Sequence, residues 1–215
     1  MKFLCVTTGQ YPHNDASSQR LHMLSCMLTE MGHEVEVVCR NRTCLSGRVG
    51  NVEFVSAFSS PRTFFGKVFD VYSVFHRFVK QKVICGKPDG VLLLRSPTSL
   101  AQWLIRNAKK YQYNLFHDCT EWYSQEEFKH PLLSNEYLKK EFWMKCLFPK
   151  DTGIIAISEY IQAHFQRRGN RCIRIPSVCD SNSINCNVKK SGDKLIIVYA
   201  GTPGKKDRFK ELIDA

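Results

Sequence analysis

Residues Lys2 to Val38 read "KFLCVTTGQYPHNDASSQRLHMLSCMLTEMGHEVEVV", and their order decides the fold. A short apolar run, Lys2 to Thr7, gives way to the polar loop "GQYPHNDASSQ". Leu21, Leu24, Leu28 and Met31 then recur at spacings of three and four, the period of a helix with one buried face. Gly32 follows where a helix C-cap favours positive φ, and Glu34 to Val38 is the next strand-like run. Strand, helix and strand in this order form a βαβ unit, whose crossover is right-handed. Repetition of that unit builds a doubly wound parallel sheet with its ligand crevice at the carboxyl ends of the strands.

Outward from that unit the alternation continues. Val52 to Val55, Val91 to Leu94, Asn114 to His117, Ile154 to Ile157, Cys172 to Ile175 and Leu195 to Ala200 read as strands. Several are apolar on both faces, which requires a sheet with helices on each side. Helical patterns fall near Arg62 to Lys82, Ser99 to Tyr111, Ser134 to Phe148 and Glu159 to Arg168. The polar stretch "SVCDSNSINCNVKKSGDK", from Ser177 to Lys194, lies between two strands and has few large apolar residues. It reads as a linker. The expected organisation is an α/β domain over residues 1–180, a linker over 181–194, and the first βα unit of a second domain over 195–215.

The bulk of the sequence bounds the function without choosing it. The 215 residues are 43% hydrophobic and 24% charged, the profile of a globular α/β chain. Lys plus Arg number 31 against 20 Asp plus Glu, a formal charge of +11 that favours an anionic partner. No apolar run approaches the roughly 18 residues that cross a bilayer. The N-terminal run reaches the Thr7-Thr8-Gly9 turn before completing a signal-peptide core of about 7 to 15 residues, so a cytoplasmic chain is expected. The ten cysteines form no C-x-x-C pair and are scattered through strand and helix patterns, which fits reduced thiols rather than a disulfide framework or a zinc site. A nucleic-acid partner lacks any recognised motif, and the basic residues are dispersed.

Three segments carry candidate chemistry. In "YAGTPGKKDRFKELIDA" a strand ends in a glycine turn before a helix start. Gly201 and Gly204 would let the backbone approach an anion, with Lys205 and Lys206 beside the positive end of the helix dipole. The spacing matches neither G-x-x-x-x-G-K-[ST] nor G-x-G-x-x-G, so a purely structural turn stays open. In "NLFHDCTEWYSQEEF", Asn114 to Phe128, a strand would deliver His117, Asp118, Glu121 and Trp122 to its carboxyl end. There an imidazole, acids and a stacking ring could meet an acceptor. The alternative is a helix N-cap at Asp118 or Thr120 beside a buried Trp. Third, Phe65, Val68, Phe69, Tyr72, Phe75 and Val79 share one face of the helix after Arg62, with Lys67, Arg77 and Lys80 off it. Such a face either lies on an anionic membrane or packs on its own sheet.

Taken in order, "SSQRLHMLSCMLTEMGHEVEVV", "IIAISEYIQAHFQRRG", "IRIPSVCD" and "IIVYAGTPGKKDRFKELIDA" resemble glycosyltransferase family 4, which has the GT-B fold. The resemblance implies two Rossmann-like domains that close over a nucleotide sugar. A glycosyl group then passes to a saccharide or lipid-linked acceptor with retention of configuration, as in cell-surface polysaccharide synthesis. Residues 1–180 would be the acceptor-side domain, and residues 195–215 the opening of the donor domain. On this resemblance Gly201, Gly204, Lys205 and Lys206 contact the donor diphosphate, with Lys206 stabilising the leaving group. His117 faces the reacting sugar with Asp118 beside it, while Glu121 and Trp122 orient the acceptor. It also implies no cofactor and no metal, in keeping with the absence of a D-x-D triplet. Two departures stand out. Members often carry a Gly-Gly pair after the first strand, where this chain has Gly9 alone, and the glycine usual before Cys179 is absent. The acid pair E-x7-E of the donor domain does not occur within the 215 residues, so the chain alone would have negligible turnover. The alternative is a non-catalytic saccharide-binding or regulatory module derived from such an enzyme.

Overall fold

The computed structural model describes residues 1–12, 15–59 and 63–178. In it the first unit forms as its pattern requires: β1 (Lys2–Thr7), α1 (Ala16–Glu30) and β2 (Glu34–Cys39), with β1 and β2 parallel. The Asp15 carboxylate caps α1 by accepting from the Ser18 amide at 2.8 Å. Gly32 takes φ +82° at the far end, a conformation that costs a residue with a Cβ roughly 1–2 kcal/mol.

The chain then places β3 (Ser46–Val49), β4 (Val52–Ser56), β5 (Gly90–Arg95), β6 (Asn114–Cys119), β7 (Gly153–Ala156) and β8 (Cys172–Arg174). Their order in the sheet is β3-β4-β2-β1-β5-β6-β7-β8. Every pairing is parallel except β3 with β4. From β1 the chain builds outward through β2 and β4. It then crosses back to lay β5 on the other side of β1 and builds outward again. The strand order therefore reverses between β1 and β5.

Two faces follow from the strand period of two. Leu4, Val6, Val91, Leu93, Leu115 and Ile154 pack under α3 (His76–Gly86), α4 (Thr98–Tyr111) and α6 (Glu159–Arg167). Phe3, Cys5, Val37 and Leu92 pack with Leu21 and Leu24 of α1 on the opposite face. Beyond α1 that second face carries an apolar groove of about 800 Å³ across β6, β7 and β8. The eight described cysteines form no disulfide with one another. Burial pushes the thiols of Cys5 and Cys119 up to about 12 and that of Cys39 up to about 11.

Several boundaries differ from the sequence expectation. β3 was not anticipated, because "SGRV" holds a single strong strand former and is mostly solvent-exposed. β6 continues two residues past His117, to Cys119, and so takes Asp118 into the sheet and leaves His117 inside the strand instead of at its end. The pattern of Arg62 to Lys82 becomes α2 (Phe64–Phe69), a π-helical stretch (Asp70–Phe75) and α3. That of Ser134 to Phe148 becomes α5 (Asn135–Phe142) running into a second π stretch (Trp143–Leu147). The expected strand at Leu195 to Ala200 lies outside the described residues.

The aromatic helix resolves into two halves. Phe75, Val79 and Val83 are fully buried, each stabilising the fold by roughly 1.5–3 kcal/mol. Phe64, Phe65 and Phe69 of α2 are 73%, 82% and 62% exposed. The packed reading thus holds for the second half, while the rings of the first half face solvent.

Candidate functional site

The alternation that builds β6 also sends its polar residues to opposite faces. His117 points among the helices and is 2% exposed. Its ring stacks on Phe148 with centroids 4.3 Å apart and meets Trp143 edge-on. Nδ1 donates to the Leu93 carbonyl at 3.0 Å. Desolvation drives its pKa down to about 3, so the ring is neutral and holds its proton against the Leu93 oxygen. The expectation of a cleft-facing imidazole is corrected: extension of the strand past His117 puts the ring in the core.

Asp118 faces α1 and is likewise buried. Arg20 donates from Nε to Oδ2 at 2.9 Å and from Nη2 to Oδ1 at 2.9 Å, engaging both carboxylate oxygens. The same guanidinium reaches the Ile175 carbonyl at 2.8 Å and the Pro176 carbonyl at 2.6 Å. Burial pushes the Asp118 carboxyl up, and the Arg20 fork opposes that rise. A carboxylate with both oxygens taken by a buried arginine is not free to accept a proton from a substrate, which corrects the expectation for Asp118. The pair clasps the chain as it leaves β8.

Glu121 and Trp122 do sit past a strand end. With Tyr123, Ser158 and Tyr160 they line a recess of about 330 Å³ between the carboxyl ends of β6 and β7. The Trp122 indole N–H donates to Glu141 at 2.6 Å, and its ring packs against His164 and Tyr160. Glu121 is exposed and accepts from the Tyr123 hydroxyl at 2.7 Å. A fixed indole beside an exposed carboxylate suits a sugar, whose apolar face stacks and whose hydroxyls donate. Gly201, Gly204, Lys205 and Lys206 lie outside the described residues.

The larger feature was not anticipated. At the carboxyl ends of β1, β2 and β5 a cleft of about 600 Å³ is lined by Thr8, Gly9, Arg40, Arg42, Lys67 and Arg95, among others. It opens where the strand order reverses, the point at which doubly wound sheets bind their ligands. Arg40 is held by the buried Asp70 and lies over the Phe58 ring. Ser59 donates to Asp70 from its amide at 2.8 Å and from its hydroxyl. Burial raises that carboxyl, but Ser59 and Arg40 outweigh it and hold Asp70 below the usual carboxylate range. Arg95 donates to Asp15 at 3.0 Å and to the Ser17 hydroxyl at 2.8 Å. Cations standing at the ends of β2 and β5 were the available signal, since Arg40 directly follows Cys39 and Arg95 closes β5.

The sequence matches no protein-family model and no curated protein. Solved structures do resemble the chain. A sucrose-phosphate synthase from Thermosynechococcus elongatus aligns with a TM-score of 0.52 at 13% identity, covering 85% of this chain and 91% of that one. The apo lipopolysaccharide outer core galactosyltransferase WaaB aligns with a TM-score of 0.45 at 15% identity over 79% of this chain and 43% of that one. Anabaena HepE, solved in complex with UDP, gives a TM-score of 0.47 at 16% identity over 85% and 45%. The chain thus spans under half the length of the latter two. The architecture is that of a Rossmann-like domain of the GT-B type.

Proposed function

We propose that residues 1–180 form the acceptor-side domain of a retaining, family 4-like glycosyltransferase that moves a sugar from a nucleotide sugar to a saccharide or lipid-linked acceptor. Residues 181–194 would be the linker, and residues 195–215 would open the donor domain. The observation that carries this reading is the open cleft at the reversal between β1 and β5 on a GT-B-type sheet, with the Trp122 recess further along the same edge. The ordered motifs from Ser17 to Ala215 support it. Trp122 and Glu121 would seat the acceptor, while Lys205 and Lys206 would meet the charge that develops on the departing diphosphate. In this assignment His117 and Asp118 hold the domain in shape and do not touch substrate.

The test is binding of a saccharide panel to the chain, followed through the indole N–H resonance of Trp122. Replacing Trp122 by Ala should weaken the bound saccharide by about tenfold in calorimetric titration of the two chains, the loss of one stacking contact worth ~1.4 kcal/mol. A panel that leaves the resonance unmoved overturns the acceptor assignment.

A further inference from the structure

The cleft between β1 and β5 has more positive charge than it neutralises. Arg40 is matched by Asp70, and Arg95 by Asp15. Asp15 also accepts from Ser18 at the start of α1, so its charge is shared with the cap. Arg42 and Lys67, both exposed, form no ion pair among the described residues. Two cations are left facing a cavity of about 600 Å³, beside an arginine fixed from behind by a buried carboxylate. Two spare positive charges beside a fixed guanidinium match an anion of about two charges, and Arg forks suit phosphate oxygens.

We propose that this cleft binds a phosphate or diphosphate group carried by the acceptor, with Arg42 and Lys67 as its principal contacts and Arg40 and Arg95 as its walls. The proposal rests on the transferase reading and names the acceptor's class. Two sources share this chemistry: a soluble sugar phosphate and a lipid-linked diphosphate sugar. Lys67 sits on α2, whose Phe64, Phe65 and Phe69 are exposed next to the cleft, so a lipid-linked source would rest those rings in the bilayer interface.

Calorimetric titration of the 215-residue chain with inorganic pyrophosphate at about 0.15 M salt, where the Debye length is about 8 Å, tests the site. The double variant Arg42→Ser, Lys67→Ser should bind at least about tenfold more weakly, ~1.4 kcal/mol. A control with the same charge loss on α4, Arg106→Ser with Lys109→Ser, should stay within about twofold, because surface charges at a distance are screened. All four side chains are exposed, so unchanged thermal melts are expected. Equal weakening in both variants, or no binding by the parent chain, overturns the site. UDP binding at least about tenfold more tightly than pyrophosphate, with the same dependence on Arg42 and Lys67, would give the cleft to the donor and overturn the acceptor assignment.

Co-sedimentation with phosphatidylcholine vesicles doped with a polyprenyl diphosphate separates the sources. Binding lost on Phe64→Ser, Phe65→Ser, Phe69→Ser, with pyrophosphate affinity kept, supports the lipid-linked source. Pyrophosphate affinity without vesicle binding supports the soluble one. The two readings can fail separately. Saccharide binding at Trp122 without cleft-dependent pyrophosphate binding removes the anion site alone. The converse removes the transferase reading and leaves the site.

Discussion

A histidine and an aspartate side by side on one strand end up with unlike duties because the sheet sends neighbours to opposite faces. His117 is neutral in the fold and titrates near 3, whereas in the unfolded chain it returns to about 6.5. Between those values the unfolded state binds the extra proton, so stability contributed by the neutral ring is present above about pH 6.5 and is lost as pH falls. The loss amounts to roughly 1.4 kcal/mol for each pH unit between about 6.5 and 3. Urea unfolding midpoints measured from pH 7 to pH 4 should therefore drop steeply for the parent chain. The slope should be shallower in His117→Gln. Asp118 poses a different problem. Replacing it with Ala would strand the guanidinium of Arg20, which is 6% exposed, at a cost of about 3–5 kcal/mol. Denaturant titration of Asp118→Ala reads that cost directly, and Asp118→Asn should recover part of it by keeping an acceptor for Arg20.

At the scale of elements, helix ends are where local and global demands collide. α4 closes on Gln112 at φ +57°, a left-handed conformation that a residue with a Cβ adopts at a cost of roughly 1–2 kcal/mol. Gln112→Gly should raise stability by up to about 1 kcal/mol, seen as a higher midpoint in thermal or urea unfolding, with part of the relief offset by glycine's larger unfolded-state entropy. Elements also show what the residue order conveys and what it hides. Lys2 to Val38 announces its strand, helix and strand because each period is unbroken. β3 hides because "SGRV" pairs only at the sheet margin and buries little. The stripe from Phe65 to Val79 specifies one apolar face, but not that β5 and α4 reach only its second half. His117 and Asp118 were misplaced because a strand's end is set by pairing with β7, through His117↔Ile154, Asp118↔Ile155 and Cys119↔Ala156, and no local signal marks it. Trp122 and Glu121 were legible because they fall beyond that end. Arg40, Lys67 and Arg95 are far apart in the chain and meet only through the crossover that carries β5 back beside β1.

For the molecule as a whole, a formal charge of +11 becomes informative only once it is located. Part of it gathers at the reversal of strand order, where a doubly wound sheet leaves room for a ligand. Among the described residues no helix is long and apolar enough to cross a membrane, while α2 sets three phenylalanine rings in solvent beside that charge. The sheet that holds these features also seals cysteines into three of its strands. Cys5 in β1, Cys39 in β2 and Cys119 in β6 keep their protons well above neutral pH, and a protonated thiol hardly reacts with a disulfide reagent. Cys44, Cys85 and Cys146 are open to such a reagent from the start. Native-state labelling followed by mass spectrometry should mark the second group within the mixing time and the first only as fast as the central strands separate. The protein thus contains its own stopwatch for sheet opening, one that runs without any engineered reporter and slows when something fills the cleft and holds β1 against β5.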